Sequence, residues 1–360
     1  MMTKYIKWTP GGGYDAAELE EAVRTVRNGG LVSFPTETVY GLGANGLVPE
    51  AARRIYEAKG RPSDNPLILH IAERGQLSGI VSQVPDIAWK LADQFWPGPL
   101  TMIFEKADCV PYDTTGGLDT VAVRMPAHEG ALEFLRAAAV PVAAPSANVS
   151  GRPSPTRAEH VKEDLDGRID LIIDGGQVGI GLESTIVDLT EGIPVILRPG
   201  AITRQMLSDV VGEVVMDPAL MAAAPDVKPK APGMKYRHYA PRAEMIVFRG
   251  SETEMADQIN EQLRVYCRDG IHRPEEVGIL ATEETAGRYP SGRVLTAGSR
   301  EKGTVGRAIY GTLRTFDELQ VKLILSESFY GLEQEEAIMN RLLKAAGQCG
   351  KYSKPAEDTD

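Results

Sequence analysis

Apolar and polar positions recur along this chain in changing rhythms, and the changes mark its parts. In "DAAELEEAVRTVRN" (15–28) the apolar residues fall at helical spacing, and Gly29-Gly30 stops the run. "LVSF" (31–34) then reads as a strand. "PEAARRIYEAKG" (49–60) opens on Pro and closes on Gly, the asymmetry expected of a helix. Further strands are predicted at "NPLILHI", "LTMIF", "TVAVRMP", "VPVAAPS", "LIIDGG", "STIVDL" and "PVILRPG". Helices are predicted at "VPDIAWKLADQFW", "GALEFLRAAA" and "TRQMLSDVV". Strands and helices of mixed order predict one α/β domain on a mixed sheet over 1–216.

The rhythm breaks at 217–243. This stretch is rich in Pro, has little apolar periodicity, and carries five Lys/Arg against two Asp, so it reads as a locally basic linker. From 244 a regular alternation begins: "EMIVF", "ETEMADQINEQLRVYC", "EVGILA", "GRVLTAG", "TVGRAIYGTLRTFDEL", "VKLILSES", "EEAIMNRLLKAAG". It predicts a small parallel α/β domain, Rossmann-like, over 244–350. The tail 351–360 is expected to be disordered.

Composition narrows the function. With 39 basic and 50 acidic residues the chain carries a formal charge of −11, which argues against a dedicated nucleic-acid binder. Cys109, Cys267 and Cys349 lie far apart and form no CxxC, so neither a zinc site built on Cys nor a disulfide framework is expected. The N-terminus has no apolar signal region and no apolar run is long enough to span a membrane, so the expected location is the cytoplasm.

Residues 41–46, "GLGANG", match the spacing G-x-G-x-x-G. A dinucleotide loop needs its first Gly at the strand end and an acidic residue closing a second strand about 20 positions on. Here "PTETVY" intervenes before Gly41, and "SDNPL" stands ahead of a strand instead of after one. The match is therefore set aside, and the glycines are expected to supply positive φ in a turn. There is no GxxxxGK[ST], no HExxH and no GxSxG.

Chemistry concentrates in polar stretches beside strands. Each has an ordinary reading as turn or surface, but together they are more telling than singly. "KGRPSDNP" sets Lys59 and Arg61 two apart, before a strand, where two cations can clamp a triphosphate. "SAN" offers Ser146 and Asn148 at a strand end, where α/β ligands bind. Arg124 in "VAVRMP" and Arg198 in "VILRPG" are candidate bidentate partners for a carboxylate or phosphate.

At this point a resemblance emerges. "FPTETVYGLGAN", "KGRPSDNPLILHI", "FWPGPLT", "LDTVAVRMPAH", "PVAAPSANVSGRPSPT", "GLESTIVDL", "LRPG" and "APGMKYRHYAP" resemble the threonylcarbamoyl-AMP synthase family, which is YrdC-like, in its long form. The likeness covers 15–243 closely and the remainder more loosely. It implies an open, twisted mixed sheet with a concave pocket, a linker across that pocket, and an accessory α/β domain. It implies a nucleotidyltransferase that joins L-threonine, bicarbonate and ATP into threonylcarbamoyl-AMP and pyrophosphate, for modification of the tRNA adenosine beside the anticodon. A separate transfer machinery is the implied downstream partner.

The resemblance also implies roles. Threonine would be held by Thr38, His70, Arg124 and Ser184, with Thr36 a weaker candidate. ATP would be held by Lys59, Arg61, Asn65, Thr120, Ser146, Asn148, Ser154, Arg198 and Tyr236. No side chain serves as nucleophile: catalysis is positioning and charge stabilisation, with Lys59 and Arg61 the chief contributors. Mg²⁺ would arrive with ATP and take no ligand from the protein. Two rival readings are an RNA-binding module and a carbamoyltransferase with a YrdC-like part. The charge disfavours the first, and the lack of Cys-rich zinc fingers disfavours the second.

Overall fold

A computed structural model describes residues 2–220, 230–232, 238–332 and 334–347. The expectations for Tyr236 and for the tail 351–360 fall outside these residues, as do most positions of the linker. Contacts group the chain into two units, Met1–Ser150 with Ser154–Tyr236, and Gly151–Pro153 with Arg237–Asp360.

In the first unit the chain runs β1 (Lys4–Lys7), α1 (Ala16–Arg27), β2 (Val32–Phe34), β3 (Gly41–Asn45), α2 (Pro49–Lys59), β4 (Ile68–His70), α3 (Asp86–Phe95) and β5 (Leu100–Glu105). It continues α4 (Tyr112–Thr115), β6 (Thr120–Arg124), α5 (Glu129–Ala138), β7 (Val142–Ala143), α6 (Ala158–Leu165), β8 (Leu171–Asp174), β9 (Thr185–Asp188), β10 (Val195–Arg198), α7 (Arg204–Val211) and β11 (Val215–Met216). The strands form one mixed sheet of eleven, in the order β1-β8-β2-β3-β7-β4-β6-β5-β9-β10-β11.

One face of this sheet is covered by helices along its length. Leu42, Leu69, Met102, Val123 and Val187 pack there against Ala52 and Ile55 of α2 and Leu91 of α3. On the other face α1 and α5 cover one end only, over Val32, Phe34, Val142 and Ile173. Beyond them Ile68, Ala122, Ile103, Ile186 and Leu197 form a separate apolar strip whose cover is Ala231, a linker residue. Among the described residues no helix packs on this strip, and the polar residues of the site lie beside it.

Two local features correct or sharpen the sequence reading. Gly41–Asn45 is a buried strand, not a turn, and none of Gly41, Gly43 or Gly46 has a positive φ. Their role is space. A Cβ on Gly43 would stand 2.7 Å from Val142 Cγ1 and 2.9 Å from Phe34, and one on Gly46 would stand 2.3 Å from Leu69 Cδ2. The positive φ occurs at Gly60 instead, where φ is 61° and the left-handed residue ends α2. That stop fixes Lys59 and Arg61 on either side of the bend.

The second unit contains β12 (Glu244–Phe248), α8 (Glu252–Arg268), β13 (Val277–Ala281), β14 (Arg293–Thr296), α9 (Val305–Glu318), β15 (Leu323–Glu327) and α10 (Glu335–Ala345). Its four strands are all parallel, in the order β12-β15-β13-β14. This is the small parallel domain that the alternation predicts. Ser251 caps α8, accepting from Glu254 N while the Glu254 side chain accepts from Ser251 N. Inside the unit, fully buried Arg314 donates to Pro153 O at 2.7 Å, and Asp317 accepts from Arg242 N at 2.7 Å.

Candidate active site

Register builds the site. His70 lies opposite Arg124, Arg124 opposite Thr101, Thr101 opposite Ile186, and Ile186 opposite Arg198 across a bulge. Residues directly opposite share a face. A row that is polar on β4, β6, β5 and β10, and interrupted by Ile186 on β9, thus crosses the sheet at the carboxyl ends of β4, β6 and β10, where ligands of α/β sheets bind. Two residues down each strand the row becomes apolar, with Ile68 opposite Ala122 and Ala122 opposite Ile103. Thr120 stands two further on, at the start of β6. Four residues of strand put it about 13 Å from Arg124 along the sheet.

Arg124 is buried to 4% exposure and its guanidinium is spread over three groups. Nε donates to Gly98 O at 3.2 Å and Nη1 donates to Thr38 Oγ1 at 2.9 Å. Nη2 lies 2.6 Å from Glu37 Oε1, yet the pair does not meet hydrogen-bond geometry: Nη2 and both Glu37 oxygens are buried without a hydrogen bond. This contact is one of charge, not of direction.

The "PTET" loop is otherwise fully pinned. Thr36 Oγ1 lies 2.9 Å from Thr38 Oγ1, accepts from Thr38 N and Val39 N, and donates to Val39 O. The carbonyls of Glu37 and Thr38 accept from Ile180 N at 2.8 Å and Gly181 N at 3.0 Å.

His70 shares a hydrogen bond with Ile68 O through Nδ1 at 3.1 Å and meets Phe34 edge-on. Burial first, and the neighbouring Arg124 charge second, push its pKa down to about 3. It is neutral at physiological pH, a polar wall and not a cation. Ser184 is fully buried; its hydroxyl lies 2.7 Å from Thr101 Oγ1 and accepts from Arg198 Nη2 at 3.1 Å, while Arg198 Nε donates to Ser184 O. Gly200 makes this possible, because a Cβ there would stand 2.3 Å from Thr185 N. Thr101 and Glu37 belong to this arrangement although the sequence reading assigned them nothing.

The other expected residues lie at the end of α2, for Lys59, and on loops. Lys59 is 1% exposed and donates to the carbonyl oxygens of both Ser146 and Asn148. Arg61 donates to Asn65 O at 3.2 Å and Pro66 O at 3.0 Å. Ser146 Oγ donates to Asn148 Oδ1 at 2.5 Å. Ser154 is buried and donates to Glu183, the neighbour of Ser184. Asn65 is buried with Oδ1 lacking a hydrogen bond. The structure therefore joins Thr38, His70, Arg124, Ser184 and Arg198 through one sheet face, and Lys59, Ser146 and Asn148 through one loop cluster.

Two family profiles match in succession. Residues 24–200 match the family described as "Telomere recombination", and 202–347 match "Threonylcarbamoyl-AMP synthase, C-terminal domain". The threonylcarbamoyl-AMP synthase of Pyrococcus abyssi is 48% identical over 325 residues, 89% of this chain and 92% of that one. This chain belongs to the threonylcarbamoyl-AMP synthase family. The Bacillus subtilis member is 48% identical over 92% of this chain and 93% of its own. The crystal structure of P. abyssi Sua5 complexed with L-threonine superposes with a TM-score of 0.90 at 45% identity, covering 97% of this chain and 99% of that one. Both units thus have counterparts in family members, and the mixed and parallel sheets are the family's fold.

Proposed function

We propose that this chain makes threonylcarbamoyl-AMP from L-threonine, bicarbonate and ATP, releasing pyrophosphate. The observation that carries the threonine half is Arg124: a buried guanidinium beside neutral His70, on the sheet face that α1 and α5 cover at one end only. Its planar fork suits the carboxylate of an amino acid. Thr38 and Ser184 offer hydroxyls on either side of it, with Thr36 holding Thr38.

ATP lies toward Thr120 and the loop cluster. The strip Ile68–Ala122–Ile103 offers an apolar bed for a base, and Ala231 lies on that strip. Lys59, Arg61, Asn65, Ser146, Asn148, Ser154 and Arg198 surround the phosphates, and Tyr236 closes over the nucleotide. Mg²⁺ enters bound to the ATP phosphates, as part of the substrate.

The carbamate oxygen attacks the α-phosphate and pyrophosphate leaves. The residues contribute orientation, exclusion of water and positive charge where the phosphates gain negative charge. Lys59 also holds the loop that carries Ser146 and Asn148. We assign residues 1–216 to the catalytic domain, 217–243 to a linker that shifts for substrate entry and product exit, and 244–350 to an accessory domain. The product supplies the tRNA threonylcarbamoyl-transfer machinery. We place the reaction in the cytoplasm, where ATP, threonine and tRNA meet.

The test is pyrophosphate release with threonine or bicarbonate left out in turn. Release is expected only when ATP, threonine and bicarbonate are all present. Release independent of either would sink the assignment.

A further inference from the structure

Glu37 is the residue of this site that no role yet explains. Its backbone is fixed by Ile180, and its neighbours Thr36 and Thr38 are locked to each other. Its side chain is 15% exposed but both carboxylate oxygens are buried; Oε1 lies 2.6 Å from Arg124 Nη2, and neither oxygen receives a hydrogen bond. A buried carboxylate with unused acceptor capacity, beside a cation, is a costly arrangement unless it has a second cation to meet.

An amino-acid substrate supplies one. Once its carboxylate rests on Arg124, two negative groups share one guanidinium, and the α-ammonium restores neutrality. The ammonium and carboxylate hang from the same carbon, so a carboxylate gripped by Arg124 brings the ammonium close to whatever borders Arg124. Of the groups around that guanidinium, Gly98 O and Thr38 Oγ1 already accept from it. His70, also on this wall, is buried and carries no charge that could match an ammonium.

We propose that Glu37 holds the α-ammonium of the substrate and takes its proton when the carbamate forms. The inference rests on the threonine reading above. Its chemistry balances in two steps. The ammonium gives a proton to Glu37, leaving a neutral amine and a carboxylic acid. The nitrogen lone pair then bonds to the bicarbonate carbon, a C–O bond breaks, and water departs with the bicarbonate hydrogen and one amine hydrogen. The carbamate keeps the single negative charge, and Glu37 returns its proton to solvent.

The experiment uses the full chain and Glu37→Gln, which keeps the shape, with Glu37→Asp as a second variant that keeps the charge. Binding is measured for L-threonine and for 3-hydroxybutyrate, which has the carboxylate and hydroxyl but no amine. Glu37→Gln is expected to weaken threonine at least tenfold and to leave 3-hydroxybutyrate unchanged or tighter, with Glu37→Asp intermediate for threonine. Turnover of Glu37→Gln at saturating threonine is expected to fall by about 10²-fold, the scale of a lost proton acceptor. Equal changes for both ligands, or no change in either, would overturn the ammonium role. Unchanged turnover at saturation would overturn the proton role. A wild-type chain that does not bind threonine would instead overturn the threonine reading itself, and this inference with it.

Discussion

The two halves of the site are built differently. The half assigned to threonine is centred on strands: His70, Arg124 and the adjoining Thr101 are locked side by side by sheet register, with Thr38 and Ser184 on loops beside them. The half assigned to ATP has Thr120 and Arg198 on β6 and β10, but most of it rests on loops, and Lys59 at the end of α2 holds them by donating to Ser146 O and Asn148 O. A strand row positions a small ligand through rigid geometry. A loop cluster tied by one buried ammonium can yield to a larger ligand, because rearranging that ammonium frees two carbonyls at once. The first half should therefore respond to substitution sharply and locally, the second through the loop as a whole.

The strongest way to break this comparison is Arg124→Ala. It leaves Glu37 buried beside no counter-charge, a loss of about 3–5 kcal/mol for a broken buried pair. Denaturant unfolding of the variant should show it, and an unchanged midpoint would mean the strand half is not held by this charge. Lys59→Met comes next. Two carbonyls lose their donor, costing about 2–3 kcal/mol, and ATP use should collapse while threonine binding persists. Calorimetric titration checks both ligands, and a threonine affinity that falls along with ATP would merge the two halves.

Gly43→Ala probes the rigidity of the strand half. The added Cβ meets Val142 at 2.7 Å and Phe34 at 2.9 Å, an overpacking expected to cost about 1–3 kcal/mol. A thermal midpoint within error of wild type would contradict it. The most gradual effect is a slope with pH. The His70 pKa falls from 6.5 to about 3 on folding. Between those values the unfolded chain binds the extra proton, so stability is full above about 6.5 and is lost as pH falls toward 3. The His70 contribution is about 1.4 kcal/mol per pH unit across that window. His70→Asn should flatten the slope measured from pH 6 to pH 4.5, and an unchanged slope would assign it to other groups.

Much of this was legible in the sequence for physical reasons. Pro49 and Gly60 mark both ends of α2, and so the bend that separates Lys59 from Arg61. The restart of alternation at 244 marks the parallel sheet. What escaped was anything set by long-range pairing. β3 was missed because three glycines read locally as a turn, whereas they are there so that Phe34, Leu69 and Val142 can approach. Thr101 hides inside the apolar stretch "LTMIF"; a polar residue in a buried strand was the available signal. Glu37 was visible as a residue type, but only the fold reveals that it is buried against Arg124.

The division of the site is tested most directly by pyrophosphate release from Arg124→Lys, which keeps the charge but loses the fork. Threonine and ATP are varied separately. The account predicts a threonine KM raised at least tenfold with the ATP KM within twofold of wild type. Equal rises in both, or a rise for ATP alone, would contradict it.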